Sequence, residues 1–136
     1  MEHGQATIEA ALTLPVVLIG LLLIVEVGLV VRDALALVQA AREGARAVAV
    51  LGTDDAAASA VRRSAGPLDA DRIEIDISPP FSERERGGAI TVTLRYEARL
   101  RIPIVSRIAS MELPLRSSAT MRSERSAPTP TPAPPP

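Results

Sequence analysis

From Ala10 to Val25 the chain carries no charged residue, and past Glu26 the apolar run continues to Val31. As a helix rising ~1.5 Å per residue, these roughly 22 residues reach ~33 Å, enough for a bilayer core of ~30 Å. Leu, Val and Ile dominate the run, and only Thr13, Pro15, Gly20 and Glu26 interrupt it. A helix apolar on every side needs a membrane or a large protein around it, and the rest of this chain is too small and too polar to supply the latter.

The helical pattern outlasts the apolar run. Val31, Ala34, Val38, Ala41, Ala45 and Val48 recur at spacings of three and four, with Arg42, Glu43 and Arg46 off that stripe. Gly52 is a C-terminal stop, so one helix is predicted from near residue 5 to near residue 51. Its first half is apolar all round and its second half is amphipathic. A short Ala-rich helix follows, N-capped by Thr53 or Asp54 and ended by Gly66-Pro67. Asp54 and Asp55 suit its positive end, and no other oxygen ligands stand at Ca²⁺-loop spacing.

The period then changes to two. Ile73, Ile75 and Ile77 alternate with Arg72, Glu74 and Asp76, a strand with one buried face. Pro79 to Gly88 reads as a connecting loop. Ile90, Val92, Leu94, Tyr96, Ala98, Leu100 and Ile102 alternate with polar residues up to Pro103, and Leu113, Leu115, Ser117, Ala119 and Met121 suggest a weaker third strand. Ile104–Ile108 forms a helical turn or an edge segment. The expected fold is α+β: a long membrane-spanning helix whose amphipathic half packs on a small antiparallel sheet of about three strands, with a short second helix. The division expected is a leader over residues 1–9, a transmembrane segment over 10–31, an extracytoplasmic domain over 32–125, and a Pro/Thr/Ala tail over 126–136 that cannot form a core.

Composition removes most chemistry. Among 136 residues there is no Cys and a single His, His3. Thiolate catalysis, disulfides, His-based triads and Cys/His metal sites are therefore excluded, and no metal or other cofactor is expected. Fifteen basic residues, all Arg, nearly cancel sixteen acidic ones, so nothing in the global charge points to nucleic acid. The carboxylates fall mostly on exposed strand positions with no Gly-rich phosphate loop, so neither an enzyme nor a small-molecule substrate is expected.

The informative segment is Gly4-Gln5-Ala6-Thr7-Ile8-Glu9, which opens the apolar run. A carboxylate inside an apolar helix is costly and is usually kept because a partner satisfies it. A Glu at a helix start is also favoured by the helix dipole, with no partner at all. A small residue, an acid five positions later and then a spanning run resemble the type IV prepilin cleavage pattern, in which a membrane aspartyl peptidase cuts after the Gly. Gly4, Ile8-Glu9, Ala11-Leu12, Leu14-Pro15, Glu26-x-Gly28 and the run Gln39-Ala-Ala-Arg-Glu-Gly-Ala-Arg46 together resemble the N-terminal region of TadE-like proteins, pseudopilins of tight-adherence (Flp pilus) systems.

The resemblance, over about residues 4–50, implies a minor pilin-like protein of the inner membrane, single-pass, with its C-terminal domain outside the cytoplasm. It implies cleavage by a prepilin peptidase between Gly4 and Gln5, and as partners other pilin-like subunits and the pilus assembly machinery. Glu9 would pair with the freed amino group of a neighbouring subunit. Ala10 stands where these proteins often carry an aromatic residue and major Flp pilins a Tyr, which argues against the major filament subunit. Met1-Glu2-His3-Gly4 holds no Lys or Arg, so the positive-inside rule gives the orientation no support.

Other residues keep two readings. Glu26, near the outer end of the span, is solvated at the interface or contacts a neighbouring subunit. Pro15 lacks an N–H and is a place for a kink; Gly20 and Gly28 offer small faces for close helix approach. Arg42, Glu43 and Arg46 are a partner contact or a solvated pair, with Glu43 and Arg46 at i, i+3. Arg95, Arg99 and Arg101 charge the open sheet face, either to meet an acidic partner or to resist edge aggregation. Two further identities compete: an uncleaved membrane-anchored binding module, and a secreted domain cut near Ala34-Leu35-Ala36. Against the second, the apolar stretch exceeds the usual ~7–15-residue signal core.

Overall fold

A computed structural model describes residues 2–100 and 112–124, with side chains from Ile8 onward. A single helix, α1, runs unbroken from Glu2 to Leu51, as the three-and-four spacing predicted. Gly52 ends it with φ of 75°, a left-handed residue that Gly adopts without steric cost, and its N–H closes on Val48 O at 2.8 Å. The second helix, α2, spans Asp54–Ser64; the Thr53 side chain accepts from Ala56 N, which makes Thr53 rather than Asp54 the cap. Three strands follow, β1 (Glu74–Ser78), β2 (Ala89–Arg99) and β3 (Glu112–Arg122). They form one antiparallel sheet in the order β1-β2-β3.

The sheet lies along the second half of α1. Glu124 N donates to Ala49 O, one of the carbonyls a helix end leaves without a partner, and Ser123 N donates to Gly88 O. Those two bonds fix the end of β3 and the start of β2 at the C-terminal end of α1. An eleven-residue strand covers ~33 Å, about the rise of 22 helical residues. The sheet therefore reaches back along α1 toward the end of the apolar run.

The core is built from Leu37, Ala40, Ala41, Ala45 and Val48 of α1, Ala57 and Val61 of α2, and Ile90, Val92, Leu94, Tyr96 and Ala98 of β2. Gly44 sits where the three elements meet: a Cβ there would lie 2.7 Å from Val61 Cγ2 and 3.5 Å from Val92 Cγ1. Only a residue without a side chain lets α2 and β2 close on α1 at that point.

Four expectations shift. The buried face of α1 is rotated from the stripe read in the sequence: Ala41, Ala45 and Val48 are buried, but Val31 is 52% exposed, and Ala36, Leu37, Ala40 and Ala49 complete the inner face instead. Arg72 belongs to a short 3₁₀ turn, Ala70–Arg72, rather than to the first strand. The third strand is as long as the second, eleven residues paired from Glu112 to Arg122. Thr93, on the polar side of the alternation, is buried at the centre of the sheet. The expectations for Arg101 to Ile108 and for the tail from Ser126 lie outside the described residues.

Candidate functional site

The candidate site is a surface of α1. From Ile8 to Val27 every Leu, Ile and Val side chain is exposed. Nothing among the described residues covers this cylinder of aliphatic surface, which far exceeds the few hundred Å² that soluble monomers tolerate. By length and composition it is the one helix among the described residues suited to cross a membrane. A helix also satisfies every backbone donor and acceptor internally, the condition for lying in hydrocarbon.

Glu9 stands at the start of this surface and is exposed. Its backbone carbonyl accepts from Thr13 Oγ1 at 2.8 Å, so the threonine hydroxyl is satisfied within the helix and needs no water. Pro15 lies inside α1 without ending it. A Cβ on Gly20 or Gly28 would meet nothing within 4 Å among the described residues. The backbone of Gly4 and Gln5 is helical.

Glu26 behaves differently. It is 7% exposed between Val25 at 52% and Val27 at 63%. It falls on the inner face of α1, in line with half-buried Asp33 seven residues on and with buried Leu37 eleven residues on. Of the two sequence readings, solvation at the interface does not describe this side chain, because it is buried within a single chain. Just beyond it, Arg32 pairs with Asp33 at 3.1 Å.

On the amphipathic half, Arg42, Glu43 and Arg46 are exposed. Among the described residues no ion pair joins Glu43 to Arg46 despite their spacing. Arg95 and Arg99 lie exposed on β2; Arg99 pairs with Glu112 at 3.4 Å, as does Arg72, which also stands 5.7 Å from the Tyr96 ring centroid. Sequence reasoning missed Arg84. Its side chain is 8% exposed, pairs with Asp54 at the start of α2, donates to Pro79 O at 3.0 Å and stacks over Phe81. It pins the loop between β1 and β2 to α2. No period marks it: a single Arg in a polar loop looks like any solvated charge. Asp54 thus serves an internal ion pair as well as the helix end. Among the described residues no group of three or more His, Cys, Asp or Glu is placed to hold a metal.

No curated protein and no solved structure matches the chain. A family model described as TadE-like protein matches residues 4–46. That stretch runs from Gly4, through the bare aliphatic surface, to Arg46 on the amphipathic half. It coincides with the motifs that carried the resemblance, and over residues 4–46 the long helix is similar to the TadE-like family.

Proposed function

We propose that this protein is a minor pilin-like component of a tight-adherence (Flp-type) pilus or a related secretion system, working by assembly and carrying no reaction of its own. Residues 10–31 of α1 anchor it once in the cytoplasmic membrane, and the domain over residues 32–125 lies outside. A prepilin peptidase cuts between Gly4 and Gln5, and Gln5 becomes the N-terminus. The observation that carries this reading is the bare aliphatic face of α1. It begins within four residues of Gly4, inside the segment matched by the TadE-like family model.

Glu9 then has a physical role. Exposed on a helix in hydrocarbon, its carboxylate costs several kcal/mol unless it is paired. The freed amino group of Gln5 on an adjacent subunit supplies that partner and sets the register between helices. Gly20 and Gly28, with open space beside them, face neighbouring helices in this arrangement, as does Pro15. Glu26 is assigned to its own chain instead, since its burial lies on the domain side of α1. Arg42, Glu43 and Arg46 remain open for the assembly machinery.

The deciding measurement is the mature N-terminus, by mass spectrometry on the native membrane fraction. A chain beginning at Gln5 is expected, and Gly4→Leu should abolish that product. A chain beginning at Met1 would instead make the protein an uncleaved anchor for a binding module, and a start near Leu37 a secreted domain. Glu9→Ala should leave membrane insertion intact and abolish piliation; normal piliation in that variant would remove the proposed pairing.

A further inference from the structure

Arg72 in the turn before β1 and Glu112 on β3 pair with each other at 3.4 Å, and among the described residues the charges left outside ion pairs differ in sign between the two edges of the sheet. On β1 and the turn leading into it, Asp69, Asp71, Glu74 and Asp76 are exposed; on β3, Arg116 and Arg122 are exposed. None of these six takes part in the ion pairs among the described residues. Arg116 is worse than unpaired. It stands directly opposite Arg95 on β2, and like charges in that position are destabilising. Arg95 has Glu74 on its other side, whereas among the described residues no strand pairs with the outer side of β3 at Arg116.

Charges on edge strands commonly guard against unwanted ladder pairing. That duty is met by either sign and does not call for acids on one edge and arginines on the other. We infer that the β3 edge of one copy docks against the β1 edge of the next, through side chains, in a head-to-tail contact. Glu74 is in the same cross-sheet row as Arg116, through Arg95, so a copy set alongside without axial shift brings its Glu74 to Arg116.

Two observations select this partner and this geometry. The first is direction, which rests on the membrane-anchored reading above: all copies insert with α1 pointing the same way. Antiparallel pairing of β3 with β3 across a two-fold axis normal to the sheet would reverse α1 in one copy, so it is excluded. β1 and β3 both run antiparallel to β2 and hence parallel to each other. A β3–β1 contact between copies therefore keeps every α1 in the same sense. The second is charge. A two-fold axis along α1 also preserves direction, but it sets Arg116 against Arg116 or Glu74 against Glu74. Only the heterologous contact joins opposite signs, and such a contact repeats from copy to copy instead of closing at a dimer.

The native chain has no Cys, so introduced thiols report the contact cleanly. Two differently tagged full-length chains, one carrying Ser78→Cys and the other Ser118→Cys, are co-expressed, and their membranes are treated with a short thiol cross-linker. The mixed-tag dimer is expected to be the main product, and one chain carrying both substitutions should give a ladder of multimers. Adding Arg116→Glu and Arg122→Glu to the Ser118→Cys chain should cut the mixed dimer by about tenfold. Adding Glu74→Arg and Asp76→Arg to the Ser78→Cys chain should restore it, which also shows that the reversed chains fold. A predominant Ser118→Cys homodimer overturns the inference in favour of a two-fold contact. Cross-linking only to a different protein, or no cross-link at all, overturns it as well. The mature N-terminus is read on the same membranes: Gln5 without cross-links rejects the interface and leaves the processing reading standing, and Met1 with cross-links does the reverse.

Discussion

The two halves of α1 share one backbone and differ in what meets their side chains. From Ile8 to Val27 the large aliphatic side chains are all exposed, and they are Leu, Ile and Val. From Ala36 to Ala49 the inner face is buried, and it is made of Ala and Gly with only Leu37 and Val48 larger. The bulkier half is the uncovered one. Hydrophobicity alone would assign the core to the first half. Close approach decides otherwise, because a sheet and a second helix can only be laid against α1 where its side chains are small, as at Gly44. The first half, whose aliphatic side chains stay exposed, keeps the large side chains that favour hydrocarbon.

The sharpest way to break this comparison uses the same substitution in both halves. Leu37 is 1% exposed and Leu22 is 40% exposed, fifteen positions apart on one helix. Leu37→Ala should destabilise the domain by about 2–5 kcal/mol, the usual range for a buried leucine truncated in a close-packed core. Leu22→Ala should leave the melting of the domain unchanged in detergent. Tyr96 is the only tyrosine, the chain has no Trp, and Tyr96 is buried in the sheet, so its fluorescence follows domain unfolding specifically. Equal losses from the two variants would show that the apolar half also packs on the domain.

Gly44→Ala tests the small-residue argument with a smaller expected loss. Alanine in a helix interior gains roughly 1 kcal/mol over glycine, and overpacking costs roughly 1–3 kcal/mol. The new methyl would lie 2.7 Å from Val61 Cγ2, a fully buried branched side chain with nowhere to turn. A net loss of about 1 kcal/mol is therefore expected. Adding Val61→Ala should make the Gly44→Ala step neutral or favourable, a coupling measurable in a double-mutant cycle.

What the sequence made legible followed from periodicity. The long helix, the stop at Gly52, the cap at the start of α2 and the alternation of β2 were all readable, because each rests on spacing or on a residue with one conformational use. The phase of the α1 stripe was not. In stretches such as Ala40-Ala41 and Ala45-x-Ala47 an alanine fits either face, and only the partner decides. β3 looked weak for a related reason. Its inner positions include Ser117 and Ala119, small residues that suit the close passage of α1 and blur the apolar alternation. Glu26 read as a charge in the span, and only its angle relative to Leu37 places it on the domain side. Arg84 carried no signal at all, since its burial depends on where Phe81 and Asp54 come to lie.

The outer face of the amphipathic half gives the smallest expected effect. Glu43 and Arg46 have the spacing of a helical ion pair but are not joined, and both are exposed. A double-mutant cycle of Glu43→Ala and Arg46→Ala should give a coupling near zero, below the ~0.3–0.5 kcal/mol of a formed helix-surface pair. The stability of this half would then rest on its inner face alone. A coupling at or above that range would mean the charges hold each other in the free protein, and contact with an assembly partner would have to break that pair first. With no coupling, both side chains are free to meet a partner at no internal cost, so a loss of piliation in either single variant with unchanged Tyr96 melting would place that contact on the outer face of α1.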